Sequence, residues 1–158
     1  SSYSVTGVQT CALPIYADTW ARDGAPWHQL TAIGPSPRNR RGMAYDPVRG
    51  VTVLFGGRDP SGIAIDGTRE YRITWTRRTP AQSTMGRSRH GMLAEIRIFR
   101  GLAGGYRRDM WEYDGLIGRQ VATTSPAACF YRVMVQHEVW GASLLFGCRE
   151  GNVALADT

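Results

Sequence analysis

The sequence repeats itself, and that repetition limits the folds open to it more than any other feature. Asp18-Thr19-Trp20 recurs as Asp109-Met110-Trp111, 91 residues further on. The same step carries Asp23-Gly24 onto Asp114-Gly115, Met43 onto Met134, Gly50 onto Gly141 and Leu54-Phe55-Gly56 onto Leu145-Phe146-Gly147. Arg58 and Asp66 follow, onto Arg149 and Asp157, and no gap is needed. A more diverged copy lies between the two. Trp27 meets Trp75 and Gly56-Gly57 meets Gly104-Gly105 at a step of 48, and Arg41-Gly42-Met43 meets His90-Gly91-Met92 at a step of 49. The unit is therefore about 45 to 50 residues long, the period of a β-propeller blade.

Each unit reads as short strands. Gly42-Met43-Ala44-Tyr45-Asp46 ends at the turn Pro47-Val48-Arg49-Gly50, and the β-branched, apolar Val51-Thr52-Val53-Leu54-Phe55 follows and stops at Gly56-Gly57. After a loop containing Asp59-Pro60-Ser61-Gly62 come Arg69-Glu70-Tyr71-Arg72-Ile73 and Thr74-Trp75-Thr76-Arg77. No helical apolar period extends over ten residues. Four strands per unit make a blade. The 19 glycines and 8 prolines fit many short elements joined by turns.

The unit resembles the Kelch repeat in its bacterial form: an apolar strand closed by a double glycine, a polar loop, then spaced aromatic residues. Val51-Thr52-Val53-Leu54-Phe55-Gly56-Gly57 and Asp109-Met110-Trp111-Glu112-Tyr113-Asp114-Gly115 carry the resemblance, which covers residues 17–158. It implies an all-β fold: a partial, open β-propeller of four-stranded antiparallel blades, about two whole and two half. The expected divisions are 17–35 (the end of one blade), 36–80 and 81–122 (whole blades) and 123–158 (the start of the next). Propellers close with about four to eight blades, so further blades are expected in a longer parent chain. A free fragment would expose edge strands and apolar faces.

The repeat motif residues are Trp20, Trp27, Gly56, Gly57, Trp75, Gly104, Gly105, Trp111, Tyr113 and Gly147. The tryptophans are expected to pack between neighbouring sheets, and the double glycines to end strands where backbones crowd. Asp23-Gly24 and Asp114-Gly115 read as two-residue hairpin turns. Cys148 stands where a second glycine belongs, and Gly118 where a second tryptophan does. Leu93 to Leu102 replaces a recognisable turn and apolar strand, as a local frame slip would.

Val5-Thr6-Gly7-Val8-Gln9-Thr10-Cys11-Ala12-Leu13-Pro14-Ile15 reads like a translated sequencing adapter, so residues 1–16 are set outside the fold. The net charge is +6, and all 19 basic residues are arginine, as a GC-rich bacterial coding sequence would give. Those arginines cluster at Arg38, Arg40 and Arg41, at Arg87 and Arg89, and at Arg107 and Arg108, in turns, and read as a solvated rim. No aromatic-rich nucleic-acid motif accompanies them, and no run of some 18 apolar residues could span a membrane.

Catalytic, cofactor and metal sites are not expected. The 3 cysteines, Cys11, Cys129 and Cys148, have no framework spacing, and His28, His90 and His137 have no metal spacing. Asp46, Asp66, Glu112 and Asp114 occupy repeated turn positions, which argues for turn chemistry. The expected function is a non-catalytic scaffold whose loops bind a protein or glycan partner. Two alternatives stand beside it: a fragment of a propeller enzyme, galactose oxidase-like or other, with its catalytic residues elsewhere, and a purely structural element of a large extracellular protein. Bacterial relatives lead one to expect an exported parent.

Overall fold

A computed structural model of the chain describes residues 17–22, 24, 26–93, 97–123, 133–140, 142–146, 148–150 and 153–155. The adapter-like segment 1–16 and Gly147 lie outside the described residues. Among those residues the fold is all-β and antiparallel, with one 3-10 turn at Glu138–Trp140 and no α-helix.

A hairpin comes first, β1 (Thr19–Ala21) with β2 (His28–Thr31). Sheet I follows as a four-stranded meander: β3 (Gly42–Asp46), β4 (Val51–Phe55), β5 (Thr68–Tyr71) and β6 (Trp75–Arg78), in chain order. Sheet II repeats the plan with β7 (Gly91–Leu93), β8 (Arg97–Leu102), β9 (Tyr106–Tyr113) and β10 (Gly118–Ala122). Two further hairpins join β11 (Val133–His137) to β12 (Ala142–Phe146) and β13 (Cys148–Glu150) to β14 (Val153–Leu155). The first strands stand together, β3 beside β7 and β7 beside β11.

The second strand of sheet I explains where the core sits. Val51, Val53 and Phe55 project to one face and Leu54 to the other, and all four are buried. On the Val53 side they meet Tyr113 of sheet II, with Ala44 and Met92 packed against the cluster. The opposite face of sheet I turns toward β1, where the Trp75 indole Nε1 donates to Thr19 Oγ1 at 2.8 Å.

Three expectations need correction. Leu93 to Leu102 keeps its strand: Arg97–Leu102 is β8, paired on both sides. The counterpart of Gly57 in sheet II is Gly101 rather than Gly105. Gly57 has φ +101° and a Cβ there would lie 2.7 Å from Asn39 O; Gly101 has φ +106° and a Cβ would lie 2.9 Å from Ser88 O. The next residues agree, since Arg58 bridges Asn39 and Leu102 bridges Ser88. Gly104 has open space around its Cβ position, and Gly104-Gly105 is an exposed turn. Third, the Asp114-Gly115 turn is not a two-residue loop. Tyr113 pairs with Gly118 across four residues, and only Gly115 has positive φ. The Asp114 carboxylate accepts the Leu116 and Ile117 amides at 2.9 and 2.8 Å, which fixes a longer Asx-type turn.

Candidate functional site

The meander sorts the connections onto two ends. Residues 36–41, 56–67, 79–90 and 103–105 form a loop end, and residues 47–50, 72–74 and 114–117 a turn end. The two ends differ in how their charges are matched.

At the turn end, ion pairs and hydrogen bonds match the buried carboxylates. Asp46 Oδ1 accepts the Val48 and Arg49 amides, and its Oδ2 accepts Arg49 Nε at 2.6 Å. Arg49 reaches on to Glu70 Oε1, and Arg78 Nε donates to Glu70 Oε2 at 2.6 Å. Tyr113 of sheet II donates its hydroxyl to Gly115 O at 2.9 Å and lies 3.2 Å from Glu70 Oε1, with Arg49 over its ring. Burial alone would raise the Asp46 and Glu70 carboxyls, but the arginine hydrogen bonds outweigh it and hold both below the usual range. Burial, and then the Glu70 charge, push the Tyr113 phenol up to about 12. This network joins sheet I to sheet II. Its carboxylates are committed to arginines, which is poor preparation for proton transfer.

The loop end is built around arginines. Arg38 and Arg87 stand 49 residues apart in equivalent loops, and they are 4% and 1% exposed. Arg38 Nη1 donates to Gly56 O at 3.1 Å and Nη2 to Ser36 Oγ at 2.9 Å. Arg87 makes a bidentate pair with Asp109 at 2.8 and 2.9 Å. Two residues after each comes an arginine in the left-handed region, Arg40 (φ 52°) and Arg89 (φ 57°). The solvated-rim reading is therefore wrong for Arg38 and Arg87, which hold the strand-to-loop junctions from within. The recurrence of both pairs at the 49-residue step was the available signal.

Around Arg38 the charge is uncompensated. Its guanidinium is lowered from the ordinary value by burial, then by the like charges of Arg69 and Arg41. Arg69 is lowered by burial and by Arg77, its cross-strand partner. Among the described residues no ion pair includes Arg38, Arg41, Arg69 or Arg77. Arg41 and Arg77 are exposed and Arg69 is half-buried.

His90 lies in the same loop end, 8% exposed, with its ring 5.5 Å from Phe55. Neither ring nitrogen has a hydrogen-bond partner among the described residues. Burial, then Arg87, push it down to about 3, so it stays neutral at physiological pH. No group of three His, Cys, Asp or Glu side chains gathers among the described residues.

The motif tryptophans divide in two. Trp75 and Trp111 are half-buried between sheets, whereas Trp20 is 49% exposed and Trp27 is 64% exposed. Nothing described covers the far side of β1 and β2, which leaves Trp20 and Trp27 open. Trp20 nonetheless keeps the local geometry of Trp111. Its Nε1 donates to Asp18 Oδ2 at 2.6 Å, as that of Trp111 does to Asp109 Oδ2 at 2.7 Å.

These features define an all-β chain of successive antiparallel sheets with a charge-matched end and an arginine-rich end. Among solved structures, that of YjhT superposes with a TM-score of 0.65 at 14% identity, over 83% of this chain and 44% of that one. The likeness shows the fold alone, and the chain spans less than half of that solved chain. No family model matches the chain, and no curated protein does. No helix among the described residues is long and apolar enough to cross a membrane.

Proposed function

We propose that the chain is part of a Kelch-type β-propeller, open as it stands, and that it is a non-catalytic recognition scaffold. Sheets I and II are its whole blades, and the flanking hairpins β1–β2 and β11–β12 belong to half blades. The side-by-side placement of β3, β7 and β11 supports this reading, since first strands line the axis of a propeller. The loop end binds an anionic group, a carboxylate or sulfate, displayed by an acidic protein or glycan.

One observation carries the choice of ligand chemistry. Burial, then the charges of Arg69 and Arg41, lower Arg38, and burial, then Arg77, lower Arg69. Among the described residues no ion pair includes any of the four, while the carboxylates at the turn end are matched. An anion arriving at the loop end relieves that repulsion and gains charge-assisted hydrogen bonds.

The test is binding of polyglutamate and of heparin by calorimetry at two salt concentrations. Arg41→Gln with Arg77→Gln should weaken binding by about tenfold, corresponding to some 1.4 kcal/mol, and flatten the salt dependence. The control is Arg72→Gln with Arg119→Gln at the turn end. Equal weakening by both pairs would reduce the effect to net charge and sink the site. Equal affinity for duplex DNA would replace the proposed ligand with phosphate.

A further inference from the structure

The turns of the charge-matched end carry apolar side chains where polar ones are usual, and we infer that this end seats on the surface of a lipid bilayer. Val48, Ile73, Leu116, Val139 and Trp140 are 71–88% exposed. They sit on four turns, at residues 47–50, 72–74, 114–117 and 138–140. Trp27, 64% exposed, stands just before β2 and adds the β1–β2 turn. Single exposed apolar residues are ordinary on a protein surface. Here, among the described residues, each turn of one end holds one, and the feature repeats. Val139 stands 91 residues after Val48, and the two are 88% and 87% exposed.

A turn enters an apolar phase at low cost only if its backbone groups are already paired. Asp46 Oδ1 accepts the Val48 and Arg49 amides at 3.0 and 3.1 Å, and the Asp46 carbonyl accepts that of Gly50 at 2.9 Å. Asp114 Oδ1 accepts the Leu116 and Ile117 amides. In the 138–140 turn the 91-residue step puts His137 at the place of Asp46 and Trp140 at that of Arg49. The amide bond survives the exchange, since His137 Nδ1 accepts the Trp140 N–H at 3.3 Å. The ion pair does not, and the two rings stack instead, 4.1 Å apart and 17° from parallel. One turn thus trades a charge pair for exposed aromatic surface, with an indole of the kind that settles at a bilayer interface.

Shape and charge favour a bilayer over a protein partner. The apices stand on separate turns. The cleft between the 47–50 and 114–117 turns, about 260 Å³, has the charged Asp46, Arg49, Asp114 and Arg119 in its walls. A soft interface buries such separated points together, each to its own depth. Taking an end out of water is costly where its charges are unpaired, and here Asp46 and Glu70 are held by Arg49 and Arg78. Arg72 and Arg119 are exposed beside the apices and suit lipid phosphates. The acidic residues within the four turns are Asp114, whose carboxylate caps two amides, and Glu138. The arginine-rich loop end, with its proposed anionic ligand, then faces away from the membrane.

The test is co-sedimentation of the full chain with vesicles of mixed phosphatidylcholine and phosphatidylglycerol. Val48→Asn with Leu116→Asn should weaken binding by about tenfold or more. Met43→Ser with Tyr45→Ser, on the exposed face of β3, should leave it unchanged. Arg41→Gln with Arg77→Gln should also leave it unchanged at high salt, where long-range attraction is screened. A second readout follows depth. A nitrobenzoxadiazole dye on Leu116→Cys, in a chain with Cys11, Cys129 and Cys148 replaced by serine, should gain emission on vesicles. The same dye on Ile63→Cys at the loop end should not. Absence of vesicle binding would overturn the inference. So would equal weakening by the β3 pair, loss through Arg41 and Arg77 with the apex pair unaffected, or a dye response at Ile63 alone.

Discussion

Replacing Glu70 by glutamine tests whether the charge network joins the sheets. Glu70 is 3% exposed and faces Arg49, Arg78 and the Tyr113 hydroxyl. A hydrogen bond to a buried charge is worth about 1.5–3 kcal/mol. The Arg78 side chain is 48% exposed, so its pair counts near the surface value of about 0–1 kcal/mol. Arg49 at 23% and the buried Tyr113 keep more. Glutamine retains one acceptor oxygen but turns an amide NH2 toward a guanidinium. The expected loss is about 2–3 kcal/mol, a large part of the roughly 5–15 kcal/mol that holds a domain together. Urea unfolding at pH 7, followed by tryptophan fluorescence, should show a lower midpoint at unchanged slope. The sign with pH is fixed too. The folded carboxyl is held below its ordinary value of 4.5, so its contribution is complete above that pH and fades as pH falls through the folded value. The gap between parent and variant should therefore close on acidification. A loss under about 0.5 kcal/mol at pH 7, or a gap that widens in acid, would refute the reasoning.

Three further outcomes are expected. Gly56→Ala and Gly104→Ala share nearly the same φ, +64° and +66°, but a Cβ at Gly56 lies 2.3 Å from Arg87 O while that at Gly104 meets nothing. Thermal melts should place Gly56→Ala lower by about 1–3 kcal/mol, and equal melts would deny the close approach of sheet I to the 79–90 loop. His90→Leu removes two buried nitrogens without partners and should stabilise the chain by about 1 kcal/mol. Because folded His90 titrates near 3 and its unfolded form near 6.5, the parent loses stability as pH falls between those values. The advantage of the variant should grow there by at most about 1.4 kcal/mol per pH unit, and denaturation curves at pH 7 and 5 that show no growth would sink the assignment. Tyr113→Phe should lower stability by about 1 kcal/mol and add less than fully to Glu70→Gln, a coupling that a double-mutant cycle measures.

The strands were legible because their signal is local. Val51 to Phe55 is β-branched, apolar and bounded by turn residues, and each of those properties acts within five positions. The arginines were not legible, because residue type records no partner. Arg49 finds Glu70, 21 residues away, only once three strands have paired, and Arg87 finds Asp109 across 22. Arg38 and Arg40 look alike in the sequence, yet one is buried under a carbonyl and the other is exposed in a left-handed turn. Only their recurrence as Arg87 and Arg89 separates them from an ordinary basic rim. Trp20 and Trp111 carry the argument furthest. They share a motif, a strand position and an indole-to-aspartate hydrogen bond, and they differ in cover. A repeat fixes where a side chain sits in its own sheet, while its burial is decided by the sheet next to it. For Trp20 no described sheet lies on that side, and its indole is 49% exposed although its place in its own hairpin matches that of Trp111.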